Sequence, residues 1–127
     1  MAIRYDPGMK LGVFAVLFGE KPFEETLDYV GSLGLDAGEI GCGAYPGDAH
    51  CKPAQLLGSA RRLREFKDAV ESRGLVISAL SCHGNPLHPD RKIARAHHEA
   101  FLRTVQLAEQ LDVRTVITFS GCPGGDP

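Results

Sequence analysis

The sequence has no excess of positive charge: 14 lysines and arginines stand against 16 aspartates and glutamates, a formal net charge of -2. The basic residues are interspersed with acids rather than gathered into a tract. The broad cationic footprint that holds a nucleic-acid backbone or an anionic lipid surface is therefore missing. Also absent is any run near the roughly 18 to 20 apolar residues that a membrane span needs. Met1-Ala2-Ile3-Arg4-Tyr5-Asp6-Pro7-Gly8 places polar and breaker residues where a secretory signal requires a continuous apolar segment. The cytoplasm is the expected compartment, with neither membrane nor nucleic acid as partner. Cys42, Cys51, Cys82 and Cys122 lack the close paired spacing of a structural zinc site. Three of them follow closely behind an expected strand, so free thiols are expected rather than disulfides.

Several motifs are missing too. Phe14-Ala15-Val16-Leu17-Phe18-Gly19 offers one glycine where a dinucleotide site needs a glycine-rich turn. No acidic pair ends the first strand, which argues against a response-regulator-like sheet. No Gly-Lys-Ser or Gly-Lys-Thr follows Ser120-Gly121-Cys122-Pro123-Gly124-Gly125, so that stretch is not a Walker loop.

What is present is an alternation of strand and helix in a chain of 127 residues, the length of one ordinary domain. Near-continuous apolar runs, as in strands covered on both faces, predict strands at about 10–16, 36–41, 75–80 and 114–119. The second is the weakest of these, since glycine fills two of its six positions. Apolar residues recurring on one helical face predict helices at about 22–33, 53–73 and 90–111, the second of them with a potential break at Gly58-Ser59. The first begins at Pro22, whose missing N–H costs nothing in a first turn, and stops at Gly34. The third has an inner stripe of Ile93, Ala96, Ala100, Thr104, Leu107 and Leu111. Right-handed crossovers make the four strands parallel. This order fits a small open α/β sheet or the front of an eightfold barrel of about 250 residues.

Chemistry gathers behind the third strand, in Ser81-Cys82-His83-Gly84-Asn85-Pro86-Leu87-His88-Pro89-Asp90. His83 can bind a metal, hydrogen-bond a hydroxyl or exchange a proton near neutral pH. Asn85 adds a donor and an acceptor suited to a polyhydroxy ligand. His88 is a further candidate contact, with a loop or helix-terminus role as the alternative. Glu39 is the only acidic side chain inside an expected strand apart from the boundary residue Asp36, and a buried carboxylate asks for a partner or ligand. Ser120 opens the glycine-rich loop behind the fourth strand, where the backbone can approach a ligand. His97 falls within the apolar stripe and reads as a buried, hydrogen-bonded residue, while His50 and His98 carry little signal.

Cys82-His83-Gly84-Asn85-Pro86-Leu87-His88-Pro89 and Thr118-Phe119-Ser120-Gly121-Cys122-Pro123-Gly124 together resemble the sugar phosphate isomerase/epimerase group of the xylose-isomerase-like TIM-barrel superfamily, related to the endonuclease IV type barrel. The resemblance runs from Leu11 to the end of the chain and includes Glu39-Ile40. It implies the N-terminal half of a (β/α)8 TIM barrel, with about four strands and three helices. It further implies metal-dependent isomerisation or epimerisation of a small sugar or sugar phosphate through an enediol or enediolate. The ion would be Mn, Mg, Co or Zn. In the family the principal metal and catalytic residues come from strands five to eight, so this chain is expected to lack them and to be inactive alone. The resemblance carries His83, Asn85 and Glu39 over to the substrate pocket, and His83 is a metal ligand on the endonuclease-like pattern. The open sheet calls for the C-terminal half or another copy to cover it, so a homo-oligomer is among the expectations. A zinc-dependent phosphodiesterase and a noncatalytic binding module are the alternative readings.

Overall fold

The computed structural model describes residues 8–124. Residues 1–7 and the closing Gly125 of the glycine-rich loop lie outside the described residues. The elements run β1 (Gly12–Phe14), a 3-10 turn (Ala15–Phe18), α1 (Phe23–Ser32), β2 (Ala37–Gly41), α2 (Pro53–Leu57), α3 (Ala60–Glu71), β3 (Val76–Ser81), α4 (Arg91–Leu111) and β4 (Val116–Ile117). The strands form one parallel sheet in the order β1-β2-β3-β4. Strand order equals chain order and a helix crosses over between each pair, which is the arrangement of the N-terminal half of a (β/α)8 TIM barrel.

The central strands are longer than the outer ones. β3 has six residues, whereas β1 has three and β4 two. β4 stops level with the end of β3, whereas β1 leaves the ladder at Phe14, opposite Glu39, and the apolar run after it winds into the 3-10 turn. The helical stretch from Pro53 is broken at Gly58, and Ser59 starts the next helix by accepting a hydrogen bond from the Arg62 amide at 3.3 Å. That hydroxyl satisfies one of the first-turn N–H groups that no helix can satisfy internally.

The core lies between the sheet and the helices in two connected clusters. Ile40, Leu80, Phe66, Leu107 and Leu111 centre the first, and Leu27, Val30, Val70 and Leu75 the second. Phe23 and Ile77 pack against both. The Phe23 and Phe66 rings stack at 4.7 Å, almost parallel, which locks the start of α1 against α3. Arg73 adds a polar clamp between the same helices, donating to Asp28 at 2.6 Å and lying 3.5 Å from Glu24.

One irregularity decides which way the site residues face. Gly38 pairs with Ile77 but Glu39 pairs with Ala79, so Ser78 is an extra residue in β3. Side chains alternate along a strand, and a bulge shifts that alternation by one. Val76 faces the inner side of the sheet. Without the bulge Leu80 and Cys82 would follow it there. With it, Leu80 and Cys82 enter the core, while Ser81 and His83 turn to the inner face beside Glu39.

α4 spans about 31 Å at 1.5 Å per residue, whereas six residues of strand span about 20 Å. Its inner stripe is therefore only partly buried. Thr104, Leu107 and Leu111 are buried, but Ile93 and Ala96 are exposed because the first turns overhang the C-terminal end of the sheet.

Candidate functional site

In parallel α/β barrels the chemistry sits at the C-terminal ends of the strands, and four loops converge there in this chain. On the inner face, the Ser81 hydroxyl donates a hydrogen bond to Glu39 Oε1. This pairing answers the cost of placing a carboxylate in a strand, and it leaves Oε2 without a hydrogen-bond partner among the described residues. Two residues beyond β3, the His83 ring stacks on Phe119 at 4.7 Å with 13° between planes. It meets Phe14 edge-on at 6.0 Å. Tyr45 approaches Phe119 at 6.4 Å and is 62% exposed, as Phe119 is 54% exposed. Aromatic faces left this open at a strand end form a platform for an apolar ligand surface.

An open groove of about 560 Å³ lies against this platform, lined by Tyr45, Gly84, Asn85, Thr118, Phe119 and Ser120 with Gly121 and Cys122. Its walls combine aromatic rings, hydroxyls and backbone, and none of these side chains is charged.

Asn85 joins two of the loops. Its Oδ1 accepts from the amides of Cys122 at 2.8 Å and Leu87 at 3.1 Å, and its Nδ2 donates to the Cys122 carbonyl at 2.7 Å. Only one amide proton remains for a ligand. The contact requires close backbone approach: Gly121 has φ +98°, and a Cβ there would stand 3.0 Å from Asn85 Oδ1.

The structure thus gathers Glu39 and His83 on the inner face, with Asn85 and Ser120 on the groove beside them. His88 stands apart at the entrance to α4, its Nδ1 accepting from the Asp90 amide at 3.0 Å. His50 holds its loop to the start of α1, donating through Nε2 to the Lys21 carbonyl at 2.9 Å, with the buried Thr26 hydroxyl 3.3 Å away. Sequence reasoning did not single out Phe14, Tyr45, Phe119 or Thr118 as site residues, although the last two lie in the motif that carries the family resemblance. The three aromatic residues lie at or just beyond strand ends, and that position was the available signal.

All four cysteines are free, Cys122 exposed and the other three buried. Cys42 Sγ donates to Cys51 Sγ at 3.4 Å. That hydrogen bond, with burial, pushes the Cys42 thiol far above its ordinary value. Burial likewise raises Cys82, against hydrogen bonds with Thr104 and Thr118 that lower it. These thiols are held protonated in the core, away from thiolate chemistry. Among the described residues, no three His, Cys, Asp or Glu side chains are grouped to hold a metal ion. No helix among them is long and apolar enough to cross a membrane.

No family model matches the sequence. The chain is 36% identical over 119 residues to the uncharacterized protein YfiH of Bacillus subtilis (strain 168), a match covering 94% of this chain and 38% of that protein. Among solved structures, a D-psicose 3-epimerase crystallised in the presence of D-fructose superposes with a TM-score of 0.57 at 17% identity. That match covers 87% of this chain and 37% of the epimerase chain. The chain therefore spans under two-fifths of the length of either protein, and its fold is that of the N-terminal half of a TIM barrel.

Proposed function

We propose that this chain forms one wall of the active-site mouth of a metal-dependent sugar or sugar-phosphate isomerase or epimerase. The observation that carries the reading is the row Glu39, Ser81 and His83 on the inner face, continuous with the Phe119 platform and the Asn85–Ser120 groove. Similarity of fold to a D-psicose 3-epimerase supports the sugar class. On this reading the C–H face of the substrate lies against the exposed rings. His83, Ser120 and the free amide proton of Asn85 contact its oxygens, while Glu39 Oε2 accepts from a hydroxyl.

Moving a proton between neighbouring carbons through an enediolate calls for an acid and a base, with positive charge beside the developing oxyanion. A divalent ion supplies that charge when bound. The described residues do not fit such an ion by themselves. Its ligands and the two carboxylates that exchange the proton belong, in this proposal, to the second half of the barrel. That half, joined in one polypeptide or supplied by another copy, covers the inner face and the two outer strands in the cytoplasm.

The test is solvent-deuterium incorporation into ketoses and ketose phosphates, followed by proton NMR with Mn²⁺, Mg²⁺, Co²⁺ or Zn²⁺. The chain alone is expected to exchange nothing. A chimera continuing into the remainder of YfiH is expected to exchange the proton beside the carbonyl, and to lose most of that rate in the His83→Ala form. A folded, metal-loaded chimera that exchanges none of these substrates would overturn the reading.

A further inference from the structure

Two loops meet above the sheet at a side chain that does not line the groove. His97 stands on an overhanging turn of α4, and its Nδ1 accepts from the Asn85 amide at 2.8 Å. The acceptor role fixes the neutral ring with its proton on Nε2. Its ring meets Tyr45 edge-on at 5.0 Å, and the Tyr45 amide donates to the His83 carbonyl at 2.9 Å. The approach is close: a Cβ on Gly84 would stand 2.9 Å from His97 Cβ and Cγ. A larger residue at 84 would therefore push the helix off the loop. Asn85, held by His97, is the residue that grips both backbone groups of Cys122.

We propose that His97 is the positioning residue of the groove. Acting through Asn85, it fixes the loop after β4 and so sets where Phe119 and Ser120 stand. The connection runs in series from α4 to the β3 loop and on to the β4 loop, with Tyr45 tied in from the β2 loop. Removing the acceptor frees the Asn85 amide to swing, and the two hydrogen bonds to Cys122 lose their geometry together.

The role depends on where the acceptor stands and not only on its polarity, which gives a discriminating pair of variants. In His97→Asn the side-chain oxygen falls near the position of Nδ1. In His97→Gln it falls one bond farther out, near Nε2. Amide hydrogen exchange of the whole chain reads local opening residue by residue, and one hydrogen bond to the backbone is worth on the order of a tenfold change. The expected result is exchange at Asn85 and Cys122 about tenfold faster in His97→Gln, with Leu80 and Cys82 unchanged. In His97→Asn both should stay near the wild-type rate. Equal exchange at Cys122 in wild type and His97→Gln would overturn the proposal, as would equal loss in both variants. The inference takes the groove from the proposed function but needs no ligand in its test. It can therefore fail while the isomerase reading stands, and survive if that reading fails.

Discussion

The two faces of this sheet are built from the same strands and finished to different degrees. The helix-facing side buries Ile40, Leu80 and Cys82 at 3% exposure or less, beneath α2, α3 and α4. The inner side carries Gly12, Phe14, Ala37, Glu39 and Val76 along an open groove. Apart from Tyr45, Val76 and Leu87, the exposed large apolar side chains lie toward the two edges of the sheet. Met9, Leu11, Val16, Leu17, Tyr29 and Leu33 belong to the β1 and α1 side, and Ile93, Leu102, Val105 and Phe119 to the α4 and β4 side. Neither α2 nor α3 contributes one. A half barrel is complete where its own neighbours exist and open where a barrel would continue. Burial is concentrated on one face, and in the proposed function recognition belongs to the other.

The largest expected effect is the contrast, in urea unfolding followed by circular dichroism, between adjacent residues on opposite faces. Leu80→Ala removes a fully buried core side chain and should cost about 2–5 kcal/mol. Ser81→Ala loses the hydrogen bond to Glu39 and should cost about 1 kcal/mol. Equal unfolding midpoints for the two would erase the distinction between the faces.

Smaller still is the effect at the edge. Leu102→Ser with Val105→Ser should leave stability within about 1 kcal/mol, as for surface substitutions, while reducing concentration-dependent association in sedimentation. Unchanged association would mean that α4 is not an unfinished surface. The thiols give a chemical version of the same division: a thiol reagent should label Cys122 quickly in the native chain and the other three only on unfolding. Rapid native labelling of Cys82 would open the core that the helices are taken to close.

The smallest effect is electrostatic. The hydrogen bond from Arg73 holds the Asp28 carboxyl below its ordinary range and raises Arg73 in return. A depressed carboxylate contributes stability above its unfolded value of about 3.9, and that contribution fades as pH falls through the folded value. Unfolding midpoints should show a small decline below about pH 4 that Asp28→Asn removes. Both carboxylate partners of Arg73 are largely exposed, so solvent screens the pair and the decline stays modest.

Much of the architecture was legible because periodicity is local. The stripe Phe23, Leu27 and Val30 marks α1, and the run after Gly74 marks β3. Ser59 could be suspected as a break because glycine precedes it. Strand ends were less legible, since β1 and β4 stop where pairing stops. The candidate site was readable as a list of chemical groups and not as an arrangement. His83 and Glu39 stood out because imidazoles and carboxylates are costly at strand ends without a role. Asn85 looked like a free ligand group, but its hydrogen bonds to Cys122 reach 37 residues along the chain. No local pattern announces such a partner. The aromatic platform was hidden for the same reason: Phe14, Tyr45 and Phe119 come from separate parts of the sequence.

By itself, then, the sequence determined the alternation of strand and helix, the apolar faces that bury the core, and the strand-end loops that carry polar chemistry. Each is set by side-chain spacing within a few residues. Tertiary structure alone decided the inward turn of Ser81 and His83, the coupling of Asn85 to the loop after β4, and the approach of His97 over Gly84. These depend on register between strands and on contacts between distant segments, where a shift of one residue reverses the face presented.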